Sequence, residues 1–247
     1  MSLHEKRERV FIALSALFFC SMTLLNVVGI TRFVQFGPLS VAIGVLPYPL
    51  TFLVTDLISE LYGRSRANFV VWVGLGLNVF VIALLVIGHW LPSVEIDSQP
   101  PWQTLFLAKP ILLATGEEVV GQVDLFYILY SCSVGSVFAS MLAYITAQFC
   151  DVQLFHFFKR WTHGKHLWLR NNFSTLTSQL VDSIVVISVT FGTTLLAGKM
   201  SLDSFFLLLG SNYLFKVIAA LGDTLPFYFF TFRLRNYLEI PEEGLEP

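Results

Sequence analysis

Charge is what this sequence has least of: only 13% of its 247 residues are Asp, Glu, Lys or Arg, against about 25% in soluble domains. With a mean hydropathy of +0.71, the apolar surface exceeds what a soluble core of this length can bury, and the chain needs lipid. Cysteine is equally sparse. Cys20, Cys132 and Cys150 form an odd set with no C-x-x-C spacing, which argues for reduced packing residues rather than a disulfide framework. A net charge of −2 removes the electrostatic case for nucleic acid. Gly-rich phosphate loops, H-E-x-x-H and G-x-S-x-G are missing as well. His156, His163 and His166 are interrupted by Gly164, and no acid or thiol completes a metal set, so they read as solvated loop residues. No cofactor and no metal are expected. One enzymatic reading survives, a lipid- or prenyl-directed membrane enzyme with Asp56 and Glu60 as its carboxylates, but no third metal-binding acid supports it.

What the sequence has in quantity is long uncharged runs. A helix crossing the hydrocarbon needs about 20 residues, and six stretches qualify: 10–30, 33–55, 69–91, 125–150, 173–197 and 205–232, the fifth interrupted by Asp182 and the sixth by Lys216 and Asp223. The first is too long for a signal peptide and no A-x-A site follows it, so it is expected to be retained. The expected fold class is an all-α membrane protein, a six-transmembrane-helix bundle forming a single domain over 1–247. With a cytoplasmic N-terminus, the inside segments hold Lys6, Arg7, Arg9, Arg64, Arg66, Lys159, Arg160, Lys165, Arg170, Arg233 and Arg235, against Arg32, Lys109 and Lys199 outside. That asymmetry places both termini in the cytoplasm. The 92–124 loop, rich in acids, then faces outward. Within it, 101–113 is apolar but half a span long; it reads either as an interfacial anchor around Trp102 or as a short helix folded over the bundle as a lid.

Ionisable residues inside spans cost roughly 2.5–3.5 kcal/mol each on insertion scales. Asp56, Asp182, Lys216 and Asp223 are therefore candidate functional residues. In the second span, Pro47 and Pro49 interrupt helical hydrogen bonding. The break either lines a polar solute site or is a packing kink. Asp56 and Glu60 share a face near Gly63, Arg64 and Arg66, which is either a gate or a helix end whose acids pair with the following arginines. In the fifth span Trp168, Asn171, Thr175, Ser178, Gln179 and Asp182 form one polar face. Such a stripe must meet other helices or a solute, not lipid. In the sixth, Asn212, Lys216, Ala220, Asp223 and Phe227 share a face. Lys216 and Asp223 are two turns apart, about 10 Å along the axis, so Lys216 is free to meet Asp182 across the bundle instead. A purely structural ion pair is the competing reading.

Two motifs carry a resemblance. Pro47-Tyr48-Pro49-Leu50-Thr51-Phe52 with Thr55-Asp56 through Glu60-Leu61-Tyr62-Gly63-Arg64, and Trp168-Leu169-Arg170-Asn171-Asn172 with Ser174-Thr175, Ser178-Gln179 and Asp182, resemble the queuosine precursor transporter (YhhQ-like) family, also called the vitamin uptake transporter family. Asp223-Thr224 and Pro226 fit its last motif less distinctively. The resemblance implies import of 7-deazaguanines bearing a 7-cyano or 7-aminomethyl group, or of queuine, across the bacterial inner membrane for tRNA modification. It implies a bundle similar to the substrate-binding components of energy-coupling-factor transporters. An ATP-driven vitamin transporter subunit of that kind is the alternative function, and energising subunits or a homodimer are its possible partners besides the lipid bilayer. A guanine-like edge offers adjacent N–H donors beside an O6 acceptor. Asp182 or Asp223 would accept from the donors, Gln179, Asn212 or Lys216 would meet O6, and Tyr48, Phe52 or Phe227 would stack on the ring. Thr175, Ser178 and Asp56 complete the expected binding set, with Pro47, Pro49, Glu60 and Arg64 as the expected gate.

Overall fold

The structure is a computed structural model that describes residues 2–29, 31–95, 98–113, 116–161 and 167–240. His163 and His166 fall outside these, as do the side chains of His156, Arg64, Trp168, Asn171 and Thr175.

Seven helices run through the described residues: α1 (Leu3–Val27), α2 (Tyr48–Tyr62), α3 (Arg64–Trp90), α4 (Leu125–Trp161), α5 (Leu167–Leu196), α6 (Leu202–Gly222) and α7 (Thr224–Leu238). Five helical stretches are long and apolar enough to cross a membrane: Leu3–Val27, Ser65–Trp90, Leu125–Ala147, Leu176–Leu196 and the α6–α7 run Leu202–Leu238. The all-α membrane bundle expected from the sequence is present. α4 and α5 form the most extensive helix pair, and α2 packs on α1, α3 and α7. One core cluster, Phe18, Val54, Ile58, Ala67 and Val70, joins α1, α2 and α3.

The second crossing differs from the uninterrupted 33–55 span. Residues 33–42 fold as an antiparallel hairpin, β1 (Phe33–Phe36) and β2 (Leu39–Ala42), followed by a 3₁₀ turn, Ile43–Val45. The reason is local. Gly37-Pro38 makes the two-residue connection, with Gly37 at φ 56°, a conformation glycine adopts without strain. Pro38 removes a donor that a helix would need. Side chains brace the hairpin: Ser40 Oγ donates to Gln35 Oε1 at 2.7 Å, and the Ser40 N–H donates to Ser211 Oγ on α6 at 3.4 Å.

Pro47 and Pro49 start a helix instead of interrupting one. Pro49 lies in the first turn of α2, where no intrahelical donor is missing. α2 has 15 residues, about 22 Å at 1.5 Å per residue, well short of the ~30 Å hydrocarbon core. The hairpin and turn precede α2 in the chain. Their backbone is held in the protein: the Gly44 N–H donates to the Gly29 carbonyl at 3.1 Å, and the Ile43 N–H to the Arg32 carbonyl at 2.8 Å. The approach is so close that a Cβ on Gly44 would stand 2.5 Å from the Gly29 Cα and 2.6 Å from the Leu25 carbonyl oxygen.

The sixth span is likewise divided, α6 giving way to α7 at Asp223. Pro226 in the first turn of α7 cannot donate to the carbonyl four residues back, which ends the preceding helix there. The 101–113 segment is not a helix. Its residues contribute β3 (Thr104–Phe106), paired with β6 (Gln122–Asp124), and β4 (Ile111–Leu112), paired with β5 (Glu118–Val119), one ladder nested in the other. Pro110 between β3 and β4 blocks a helical turn. Trp102 and Phe106 are exposed.

Ion pairs and hydrogen bonds tie one end of the bundle together. Arg7 donates to the carbonyls of Leu238 and Glu239, Lys6 pairs with Glu239, Arg66 with Glu8, and the Tyr62 hydroxyl donates to the Arg7 carbonyl. The N-terminus, the α2–α3 junction and the end of α7 thus share one end. At the opposite end, Lys199 reaches the carbonyl of Gly116 in the long loop.

Candidate functional site

At the start of α2, Thr51 Oγ1 donates to the Tyr48 carbonyl at 2.7 Å, and the ring of Phe52 meets that of Tyr48 edge-on at 4.6 Å. These contacts aim the Tyr48 hydroxyl at α5. There it donates to Gln179 Oε1 and lies 3.5 Å from Asp182 Oδ2. From α6, the Lys216 ammonium forms an ion pair with the same Asp182 oxygen and sits 4.4 Å from the Tyr48 ring centroid. Lys216 thus meets Asp182 across the bundle, not Asp223 along its own helix. Gln179, Asp182 and Lys216 are all buried. Their arrangement places three elements, α2, α5 and α6, in one polar contact.

A half-open cavity of about 110 Å³ lies against this contact. On α5 it is lined by Asp182, Val186, Ile187, Thr190 and Phe191, and on α6 by Lys216, Asn212 and Leu208. Along both helices it runs from the ion pair toward the end bearing the long loop, about 12 Å on α6 at 1.5 Å per residue. The hairpin (Phe33, Ser40 to Ala42) and the end of α1 (Leu25, Asn26, Gly29) close its sides. The ion pair is its floor. Strand backbone inside a membrane protein is admissible where it is packed in protein or lines a cavity, and this hairpin does both.

Of the residues expected to bind, Tyr48, Asp182, Asn212 and Lys216 line the cavity. Gln179 and Ser178 are buried beside it, Gln179 through the Tyr48 hydroxyl. Phe52 stands behind Tyr48, and the Thr175 side chain lies outside the described residues. Asp56 and Asp223 do not join this cavity; they approach each other closely enough for their charges to interact, Asp56 exposed and Asp223 half-buried. Phe227 packs on Tyr228, also away from it. At the expected gate, Glu60 pairs with Arg235 of α7 and Arg66 with Glu8 of α1. α7 and α1 thus bring partners from distant parts of the chain to Glu60 and Arg66.

Several lining residues carry no ionisable group and were not singled out in the sequence: Asn26, Ser136, Ser140 and Thr190. Asn26 is the most telling of these. Its Nδ2 donates to Asn78 Oδ1 of α3 at 3.0 Å, while its Oδ1, fully buried, has no partner among the described residues. Asn212 Nδ2 is likewise buried without a partner. Buried polar groups are nearly always hydrogen-bonded; among the described residues Ser15 Oγ, Ser183 Oγ, Thr231 Oγ1 and Arg235 Nε are also unpartnered, but only Asn26 and Asn212, one acceptor and one donor, belong to residues that line this cavity. A lone amide in each of two otherwise apolar spans, Asn26 and Asn78, was the signal available in the sequence.

Known proteins resemble much of this chain in sequence. Residues 42–230 match the family model described as "Putative vitamin uptake transporter". A Bacillus subtilis (strain 168) protein named "Probable queuosine precursor transporter" is 27% identical over 195 residues, 78% of this chain and 72% of the relative. No solved structure matches the chain. The match begins at the hairpin's last residue and ends within α7, so it contains Tyr48, Gln179, Asp182, Asn212 and Lys216. With its membrane-crossing helices, the chain is a multi-pass protein of the bacterial inner membrane and belongs to the vitamin uptake transporter family.

Proposed function

We propose that this transporter imports queuosine precursors, 7-deazaguanines carrying a 7-cyano or 7-aminomethyl group, with queuine as a third candidate, for use in tRNA modification. One observation carries the reading: the unpartnered Asn26 Oδ1 and Asn212 Nδ2 lie on residues lining the cavity beside the Tyr48–Asp182–Lys216 contact. A guanine-like edge presents N–H donors next to an O6 acceptor and would satisfy an orphan acceptor and an orphan donor together. Tyr48 offers an aromatic face at the same place. The Bacillus relative's name specifies the same class of solute.

From the ion pair the cavity extends toward the end poor in Lys and Arg, which the positive-inside bias puts outside the cell. Solute would enter there, rest on the Asp182–Lys216 floor and leave when α2 shifts against α5 and α6. Pro47 and Pro49 at the start of α2 give that helix its hinge, and the Glu60–Arg235 pair latches its other end, beside Arg64. Flux of labelled 7-cyano- or 7-aminomethyl-7-deazaguanine into liposomes holding only the purified chain tests the proposal. Accumulation that unlabelled guanine-edge competitors suppress is the expected result. Tight binding without flux would favour a binding subunit that needs ATP-driven partners, and neither binding nor flux would overturn the reading.

A further inference from the structure

We infer that the cavity accepts an uncharged heterocycle and discriminates against a cationic one. The inference rests on the deazaguanine reading and narrows it to one class of ring substituent. Among the described residues, Asp182 and Lys216 are the only charged side chains lining the cavity. They are paired with each other, and the ammonium is also covered by the face of Tyr48 at 4.4 Å. The polar remainder, Asn26, Ser40, Ser136, Ser140, Thr190 and Asn212, is neutral. The formal charge of the lining is therefore zero.

A buried site whose two charges cancel has no counter-ion left for a third. An ammonium carried into it would lose its hydration and gain only neutral oxygens, which accept hydrogen bonds without compensating the charge. Competition for Asp182 would not help the ligand, because displacing Lys216 leaves that ammonium, now 4% exposed, unpaired instead. A primary aliphatic amine is protonated at neutral pH. A nitrile on the same ring is uncharged and enters such a lining without needing a counter-ion. The two precursors share one ring edge, so a preference between them reports on the charge of the lining and not on recognition of the ring.

The test is competition at pH 7 in liposomes holding the purified chain, with labelled 7-cyano-7-deazaguanine as the transported probe. The unlabelled aminomethyl base is expected to need a concentration about tenfold higher than the unlabelled nitrile for half-suppression, a ratio that corresponds to one decade in affinity. Lys216→Met leaves the Asp182 carboxylate without its cation and should reverse the order in favour of the amine. Combining it with Asp182→Asn discharges the lining and should restore preference for the nitrile. Equal or stronger competition by the amine in the unaltered protein overturns the charge rule while leaving the deazaguanine reading intact, whether or not the variants fold. Failure of the unaltered protein to bind or carry either base overturns both.

Discussion

Two ion pairs of similar chemistry occupy different depths of this molecule. Lys216–Asp182 has side chains 4% and 11% exposed, whereas Arg66–Glu8, at the end where the termini meet, has side chains 44% and 36% exposed. Water screens the second pair, which makes it worth at most about 1 kcal/mol. The first pair had to be stripped of water to form, and its mutual attraction does not guarantee a net gain over an apolar replacement. The difference fits the proposed function, in which the deep pair serves the cavity above it. It provides a polar floor with no net charge, joined to Tyr48 and Gln179, at the point where α2, α5 and α6 converge. The peripheral pair pins α1 to α3.

The sharpest way to break this comparison is Asp182→Ala. It leaves the Lys216 ammonium buried without its counter-ion, a defect that costs about 3–5 kcal/mol, and it removes half of the polar floor on which the solute is proposed to rest. Uptake of labelled deazaguanine in cells unable to make the precursor should collapse when compared at equal membrane abundance. Adding Lys216→Met removes the stranded charge, so thermal stability in detergent should recover in large part while uptake stays lost. Normal uptake by the single variant would take Asp182 out of the binding set.

Asn212→Leu sharpens the same comparison with a smaller effect. The orphan Nδ2 of Asn212 has no partner to strand, so replacing the amide with an apolar side chain should leave stability level or slightly raised. Uptake should nevertheless fall about tenfold, the scale of one lost hydrogen bond to a buried ligand group. Asn26 would behave differently, because Asn26→Leu also deprives Asn78 of its donor. A stability loss in Asn212→Leu, with uptake unchanged, would mean that the amide serves packing.

Much of this division was legible in the sequence, and what was not has definite causes. Charge is so costly in lipid that Asp182 and Lys216 stand out from apolar surroundings, and helical spacing alone kept Lys216 from an easy contact with Asp223. The 33–55 run was harder to read. Absence of charge marks a segment as compatible with the membrane but not as helical, and Gly37-Pro38, a turn dipeptide between β-branched and aromatic residues, carried the contrary signal. The prolines at positions 47 and 49 were read as an interruption because the helix was taken to begin before them; once the hairpin precedes them, they occupy its first turn. The pairing of Glu60 and Arg66 with residues of α7 and α1 depends on how distant helices assemble, which no local spacing records. Asn26 escaped notice because a search for ionisable groups passes over amides, although an amide in hydrocarbon needs partners as well.

Glu8→Gln should produce the smallest effect. It discharges one partner of the exposed pair but retains a side chain able to accept from Arg66 Nη1, which now reaches Glu8 at 2.9 Å. A stability change of about 0.5 kcal/mol or less is expected, with uptake within about twofold of the unaltered protein because the change is remote from the cavity. Arg66→Ala should cost somewhat more, since the guanidinium also stacks over Phe11 at 4.9 Å and Tyr62 at 5.7 Å and would lose that contact along with its charge. The order of these two variants separates Coulomb attraction from packing at the surface, and thermal unfolding of both in one detergent measures it. If Glu8→Gln lowered uptake as far as Asn212→Leu, depth would no longer distinguish the two pairs, and the terminal end of the bundle would have to take part in the transport cycle.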